Sequence, residues 1–315
     1  MNTRLFRSLL ILLVIAWPVV AQIKEQDVRA ELGFLASDAM QGRGSGTPYE
    51  RIAAEYIGSQ FRQFGLEPGG DADSAGNKTF VQRVPLQSGA TWNAIGVLRG
   101  TDPAGETIML SAHLDHLGVN EALTADDKIF NGADDDASGC VAVLELARVL
   151  AAGRRPRRTV YFICFGSEER HGLGSRYFID HSPVPLTKIV ADLNLEMLGR
   201  PDAKVPPGML WLTGFERSTL GPELARRGAA LVADPRPEQH FFERSDNYPL
   251  ALQGVIAHTV SSFGMHGDYH RPADDVSKID FPFMTRSLNS LVKPVQWLAN
   301  STFRPAWLPG QAPTR

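Results

Sequence analysis

Four apolar segments of strand length end in an imidazole or a carboxylate, and that recurrence constrains the fold most. Ala112 is followed by His113-Leu-Asp115-His116, and the loop beyond carries Gly132-Ala-Asp134-Asp135-Asp136-Ala-Ser-Gly139. Just past Phe165 come Glu168 and Glu169; Ala191-Asp-Leu-Asn-Leu-Glu196 ends on a carboxylate; Gly267-Asp-Tyr269-His270 follows the segment around Val260. Between these segments lie helical stretches. Such alternation predicts an α/β fold with a mixed, mostly parallel central sheet and helices on both faces. In sheets of that kind ligands gather at the carboxyl ends of the strands, where these residues sit.

The coarse pattern is helical from Gln26 to Phe64, broken by Gln41-Gly-Arg-Gly-Ser-Gly-Thr47. Those glycines lack the Lys-Ser/Thr of a phosphate loop and follow no strand, so they read as a turn before the helix Tyr49–Phe64. Residues 66–78 form a polar loop. Trp92–Arg99 and Glu106–Ala112 read as a hairpin around Thr101-Asp-Pro-Ala-Gly105. A buried helix is expected over Ser138–Ala152, since it is apolar nearly all round. Then follow the strand Thr159–Gly166, a helix near Gly174–Asp180, the strand Ile189–Met197, the helix Gly221–Ala230, the strand Gly254–Ser261 and a closing helix over Phe283–Asn300. The Pro- and Gly-containing tail from Arg304 is expected to be irregular.

At the N-terminus Arg4 and Arg7 precede the apolar run Leu9–Trp17, and Val19-Val20-Ala21 offers small residues before Gln22. The run is shorter than the roughly 20 residues of a membrane span, so residues 1–21 read as a cleaved export signal rather than an uncleaved anchor. No cysteine follows it to support a lipid anchor. Residues 22–315 are then one domain, exported to the periplasm or secreted, with no stable membrane insertion after cleavage. With 315 residues there is chain enough for a large core, and a net charge of −3 excludes recruitment of nucleic acid by bulk positive charge. The run Arg154, Arg155, Arg157, Arg158 reads as a solvated connection. The two cysteines, Cys140 and Cys164, both fall in apolar segments and behave as core residues.

Each strand-end feature alone has a plain explanation: an Asp-rich loop caps helices, and paired glutamates are commonly surface charge. Glu196 is different. It lies among Leu193, Leu195, Met197 and Leu198, and burying an unpaired carboxylate there is expensive. A divalent cation would relieve that cost. Imidazoles and carboxylates without thiolates suit zinc or a similar ion, and so many acids suit two ions sharing a bridging carboxylate better than one.

Together, His113-Leu-Asp115, Asn131-Gly-Ala-Asp-Asp135-Asp-Ala-Ser-Gly139, Ser167-Glu168-Glu169, Asn194-Leu-Glu196-Met and Tyr269-His270-Arg-Pro-Ala-Asp274 resemble the co-catalytic di-zinc metallopeptidases of family twenty-eight, in order and spacing. These include secreted bacterial aminopeptidases, glutamate carboxypeptidases and glutaminyl cyclases. The resemblance runs from Gln41-Gly-Arg43 to the closing helix and implies the zinc-exopeptidase sandwich. It implies two zinc ions: one held by His113 and Glu196, the other by Glu169 and His270, with Asp135 bridging both. It implies Asp115 holding the His113 imidazole in its ligating orientation, Glu168 as general base and Tyr269 as donor to the tetrahedral intermediate. Two positions depart from the commoner pattern: Glu196, where many relatives have Asp, and Asn247 in Ser245-Asp246-Asn247, where many have His. His116, His171, His181, His240, His258 and His266 match no ligand position and read as surface or satisfied core histidines. Asp134 and Asp136 read as loop-shaping residues, and Asp246 as either structural or orienting a substrate group.

The activity so implied is a metallo-exopeptidase, by default a monomeric aminopeptidase acting on N-terminal residues of peptides. The rivals are a glutaminyl cyclase, a carboxypeptidase with Arg244 or Arg271 serving the substrate carboxylate, a metal-dependent phosphoesterase, and a silent binding protein. No Gly-x-Ser-x-Gly elbow argues for a serine mechanism.

Overall fold

The computed structural model describes residues 22–314; the export segment expected over residues 1–21 lies outside them. The chain opens with helices α1 (Glu25–Leu35) and α2 (Pro48–Gln63), then strands β1 (Glu67–Pro68), β2 (Val81–Pro85), β3 (Ala90–Leu98) and β4 (Thr107–His113). A small ribbon, β5 (Gly118–Val119) with β6 (Ile129–Phe130), precedes α3 (Gly139–Ala151), β7 (Thr159–Phe165), α4 (Leu173–Asp180) and β8 (Ile189–Leu195). The remainder is β9 (Leu210–Leu212), α5 (Leu220–Arg226), β10 (Leu231–Ala233), α6 (Asn247–Ala251), β11 (Ala257–Ser261) and α7 (Phe281–Asn300).

One sheet runs β1-β3-β7-β4-β8-β11-β9-β10, with β2 also paired to β3. Its centre, β7-β4-β8-β11, is parallel, while β3 on one side and β9 on the other run antiparallel to their inner neighbours. The parallel strands are buried on both faces, and their alternation sorts side chains between two cores. Ile108, Leu110 and Ala112 of β4 and Val160, Phe162 and Cys164 of β7 face a core shared with α1, α3 and α7. Met109, Tyr161, Ile163 and Phe165 point the other way, against Phe178 of α4 and Leu250 of α6. Helix α3 packs between strands β4, β7 and β8 and helices α1, α2 and α7, which is why it is apolar nearly all round. Both cysteines are free and buried, and the Cys140 thiol donates to His113 O at 3.1 Å.

Two expectations are corrected. The strands β3 and β4 form but not as a hairpin, because β7 lies between them and pairs with both. Their connection crosses the start of β7, where the Thr101 and Asp102 amides donate to Arg157 O. Asp-Pro-Ala-Gly supplies the bend, but bend chemistry does not say what lies between the strands it joins. Arg158 is not solvated. It is fully buried, donating from Nε to Glu106 at 2.8 Å, from Nη1 to Leu298 O and from Nη2 to Phe303 O, and so ties β7 to the end of α7.

Candidate metal centre

The four parallel strands end side by side, and each delivers part of one cluster. His113 is the last residue of β4. Its amide donates to Asp136 Oδ2, and its ring Nδ1 lies 3.1 Å from Asp115 O and 3.7 Å from Asp115 Oδ1. The Asp115 carboxylate is itself fixed by the Glu168 amide at 2.9 Å and the Ser45 hydroxyl at 2.6 Å, so one buried acid orients parts of two strand ends. It faces the imidazole as a charge, while the backbone carbonyl takes the ring N–H.

The acidic loop before α3 is held by bonds that explain its composition. Asp136 Oδ1 accepts from the amides of Gly139 and Met197, and Asp134 Oδ1 accepts from Gly199 N. Asp274, downstream of β11, accepts from the amides of Asp134 and Asp135. Asp134 and Asp136 thus shape the loop, as expected, and leave Asp135 free to project into the cluster. Three of the residues at these strand ends sit at left-handed φ: Ser167 at 55°, Met197 at 53° and His270 at 55°. They lie just before Glu168, just after Glu196 and at a cluster residue, the kind of place where a fold tolerates backbone strain.

Around Asp135 the separations are short. His113 Nε2 lies 3.1 Å from Asp135 Oδ1, and His270 Nε2 lies 3.2 Å from Asp135 Oδ2 and 3.1 Å from Glu169 Oε1. Asp135 Oδ2, Glu169 Oε1 and His270 Nε2 are buried and make no hydrogen bond within the protein. Converging, unpaired carboxylate and imidazole atoms are what a divalent cation requires, so the donor set fits zinc. Glu196 leaves the end of β8 with its amide bonded to Val260 O, and its Oε2 accepts from Asn194 Nδ2 at 3.2 Å. Tyr269 stacks on the His270 ring, with centroids 3.9 Å apart.

The electrostatics split the acids. Burial would raise Asp135, but the His113 and His270 rings hold it well below the ordinary carboxylate range. Burial likewise opposes the low value of Glu169, which His116 and His270 impose. Glu168 goes the other way: burial raises it well above the usual range, the His113 charge opposing and Glu196, Asp246 and Glu169 reinforcing. Burial also raises the Tyr269 phenol, which therefore stays protonated and able to donate.

The cluster opens on a cleft of ≈ 330 Å³ lined by Glu168, Glu169, Arg176, Arg244, Asp246 and Tyr269, among others. An adjoining small hollow of ≈ 40 Å³ is walled by Met197, Trp211, Phe241 and Phe263 and reaches Glu196 and Tyr269. A larger cleft of ≈ 550 Å³ between α2 and β2 contains none of these residues.

His116 is the residue that sequence reasoning missed. It is neither on the surface nor satisfied: fully buried, its Nδ1 lies 2.9 Å from Glu169 Oε1, and neither ring nitrogen has a hydrogen-bond partner. Its position three residues after His113 was the available signal. His258, in contrast, is a satisfied core histidine, His171, His181 and His240 are exposed, and His266 meets Asp134 Oδ2 at 3.0 Å. Asp246 is fully buried with both oxygens unpaired, and burial pushes it up to about 7. Asn247 ends a chain of hydrogen bonds: Asn194 donates to Thr259 Oγ1, which donates to Asn247 Oδ1 at 3.0 Å, and Asn247 Nδ2 donates to Phe242 O. Since Asn194 also contacts Glu196, the two departures from the commoner pattern meet in one network.

Residues 93–293 match Peptidase family M28. The chain belongs to that family. With it come a zinc-dependent peptidase ancestry and the zinc-exopeptidase fold. Leupeptin-inactivating enzyme 1 of Streptomyces exfoliatus is 28% identical over 270 residues, covering 84% of this chain and 55% of that enzyme. Among solved structures, an aminopeptidase from Aneurinibacillus sp. strain AM-1 superposes with a TM-score of 0.68 at 15% identity, covering 93% of this chain and 98% of that one. A glutaminyl cyclase of Porphyromonas gingivalis also gives 0.68, at 17% identity, over 88% of this chain and 100% of that one. The chain spans about half the length, or less, of the curated relatives it matches first.

Proposed function

We propose that this protein is an exported zinc-dependent aminopeptidase that hydrolyses N-terminal residues from peptides, working as a monomer with two ions. The observation that carries this reading is the convergence of His113, Asp135, Glu169 and His270 beside a cleft bordered by Glu168 and Tyr269. His113 and Glu196 would hold one ion, Glu169 and His270 the other, and the two oxygens of Asp135 would face one each. Zinc bound there supplies a Lewis acid and makes water more acidic at neutral pH.

The chain's own residues do the rest. Glu168 takes a proton from the attacking water and returns it to the departing amine, and burial makes it a stronger base than an ordinary carboxylate. The Tyr269 phenol donates a hydrogen bond to the oxygen on which negative charge develops. Met197, Trp211, Phe241 and Phe263 line a hollow of ≈ 40 Å³ that gives a small apolar side chain of the substrate a place beside the scissile bond. The cleft carries four carboxylates, Glu168, Glu169, Glu243 and Asp246, against the guanidiniums of Arg176 and Arg244. Of these, Glu169 would hold an ion and burial raises Glu168, so Asp246, buried with both oxygens unpaired, is the acceptor left for a substrate ammonium and supports aminopeptidase over carboxypeptidase. The apolar run and small residues before Gln22 support export. N-terminal sequencing of periplasmic or secreted protein should begin at Gln22, and a cytoplasmic, full-length chain would count against export.

The deciding experiment compares free and N-blocked aminoacyl amides with zinc-replete protein. Amine release from free termini alone, abolished by chelator, is expected. Glu168→Gln should lower kcat by about 10²–10⁴ while leaving metal content unchanged. Release only from blocked peptides would refute the aminopeptidase reading, and cyclisation of N-terminal glutamine would favour the cyclase.

A further inference from the structure

We propose that His116 is itself a ligand of the second ion, beside Asp135 and Glu169. The inference rests on the two-ion reading above.

Three atoms converge on one point, His116 Nδ1, Asp135 Oδ2 and Glu169 Oε1, and His270 Nε2 approaches the same two oxygens. The recorded separations are 2.9 Å from His116 to Glu169, 3.1 Å from His270 to Glu169, 3.2 Å from His270 to Asp135 and 3.8 Å from His116 to Asp135. Ligand atoms bonded at about 2.0–2.1 Å to a tetrahedral zinc stand roughly 3.3–3.4 Å apart, and these separations bracket that edge. His116, Asp135 and Glu169 already offer three ligand atoms lying within 4.8 Å of one another. All four atoms are buried and without a hydrogen-bond partner.

The backbone holds the ring there. The His116 amide donates to Arg43 O at 3.2 Å, and residue 116 bridges to Gly44. On the ring's flank lies Gly132, where a Cβ would come within 2.6 Å of His116 Cγ and Cδ2. The glycine that begins the acidic loop thus leaves room for the imidazole. A ring packed this closely, with two unpaired nitrogens, gains its polar interaction from the cluster or from nothing.

The consequence is an asymmetric pair. The second position then draws on one imidazole more than the first. The first position, served by His113, Glu196 and Asp135 Oδ1, is then the one that loses its ion first.

The test reads metal rather than turnover. X-ray absorption on zinc-replete wild type should count three imidazoles shared by two ions, and His116→Asn should show two. In graded chelator, wild type should retain one ion long after the other has left. His116→Asn and the control His270→Asn should each lower the affinity of that retained ion at least 100-fold. An unchanged imidazole count with affinity within threefold of wild type would overturn the proposal. A loss of 10- to 100-fold with the count unchanged would also overturn it, since His116 would then only position Glu169. If the variant does not fold, the wild-type count decides: two imidazoles refute the ligand. Wild type that binds no zinc at all would refute the two-ion reading itself, a different failure.

Discussion

His258 shows how a buried imidazole behaves when its neighbours satisfy it. Thr213 O, at 2.7 Å from Nδ1, can only accept, so Nδ1 carries the proton and Nε2 accepts from the Ser218 hydroxyl at 2.7 Å. Burial pushes this ring down to about 4, with the Thr213 carbonyl opposing. An unfolded imidazole titrates near 6.5. The stability contributed by the neutral ring is therefore complete above about pH 6.5 and is lost as pH falls towards 4, a change of about 3 kcal/mol. Urea unfolding of wild type and His258→Asn should show their difference shrinking by about that amount between pH 7.5 and pH 4. A difference independent of pH would contradict it. The contrast with His116 is instructive. Both were read as histidines without a role, and both are buried, but only the acceptors and donors around them, unseen in a linear string, tell the satisfied ring from the orphaned one.

At the scale of elements, the glycine-rich turn between α1 and α2 acts as a buckle. Gly42, at φ 65°, lies so close to the β5–β6 ribbon that a Cβ would meet Phe130 O at 2.4 Å and Gly118 O at 2.5 Å. The neighbouring Arg43 is buried and donates to four carbonyls, those of Leu35, Leu114, Asn131 and Gly132. These belong to the end of α1, the residue after β4 and the start of the acidic loop, so one guanidinium ties the cluster's surroundings together. Arg43→Ala should cost at least about 3 kcal/mol by leaving buried carbonyls without donors, read as a lower urea midpoint at unchanged slope. Arg43→Lys should recover little, because an ammonium cannot reproduce the planar fork. A midpoint unaffected by either change would show that the carbonyls find other partners. The turn was legible from its glycines. The role of Arg43 was not, because its acceptors come from residues 35 to 132 and share no local pattern.

Across the whole molecule, the cluster is assembled from residues 113 to 270, delivered by four strand ends and two loops. An unfolded chain cannot present them together, so zinc should bind the native state almost exclusively and stabilise it. At free zinc about 100-fold above its Kd the gain is about 2.7 kcal/mol, which for a chain of this size raises Tm on the order of 5–10 °C. Calorimetry with zinc and with chelator checks this, and coincident transitions would count against the cluster as a metal site.

The amino-acid sequence by itself determined the alternation of strand and helix, the burial of β4, β7, β8 and α3, and the residue types at each strand end. These are properties of local patterning: apolar runs flanked by acids and imidazoles place themselves at the mouth of a parallel sheet. The tertiary structure alone decided which strands are neighbours, and it put β7 between β3 and β4 where a local bend had suggested a hairpin. It also decided that Arg158 is a buried strut and that His116 faces Glu169. Each of these depends on partners tens to hundreds of residues away, and hydrogen bonding and burial are properties of the assembled neighbours, not of the residue.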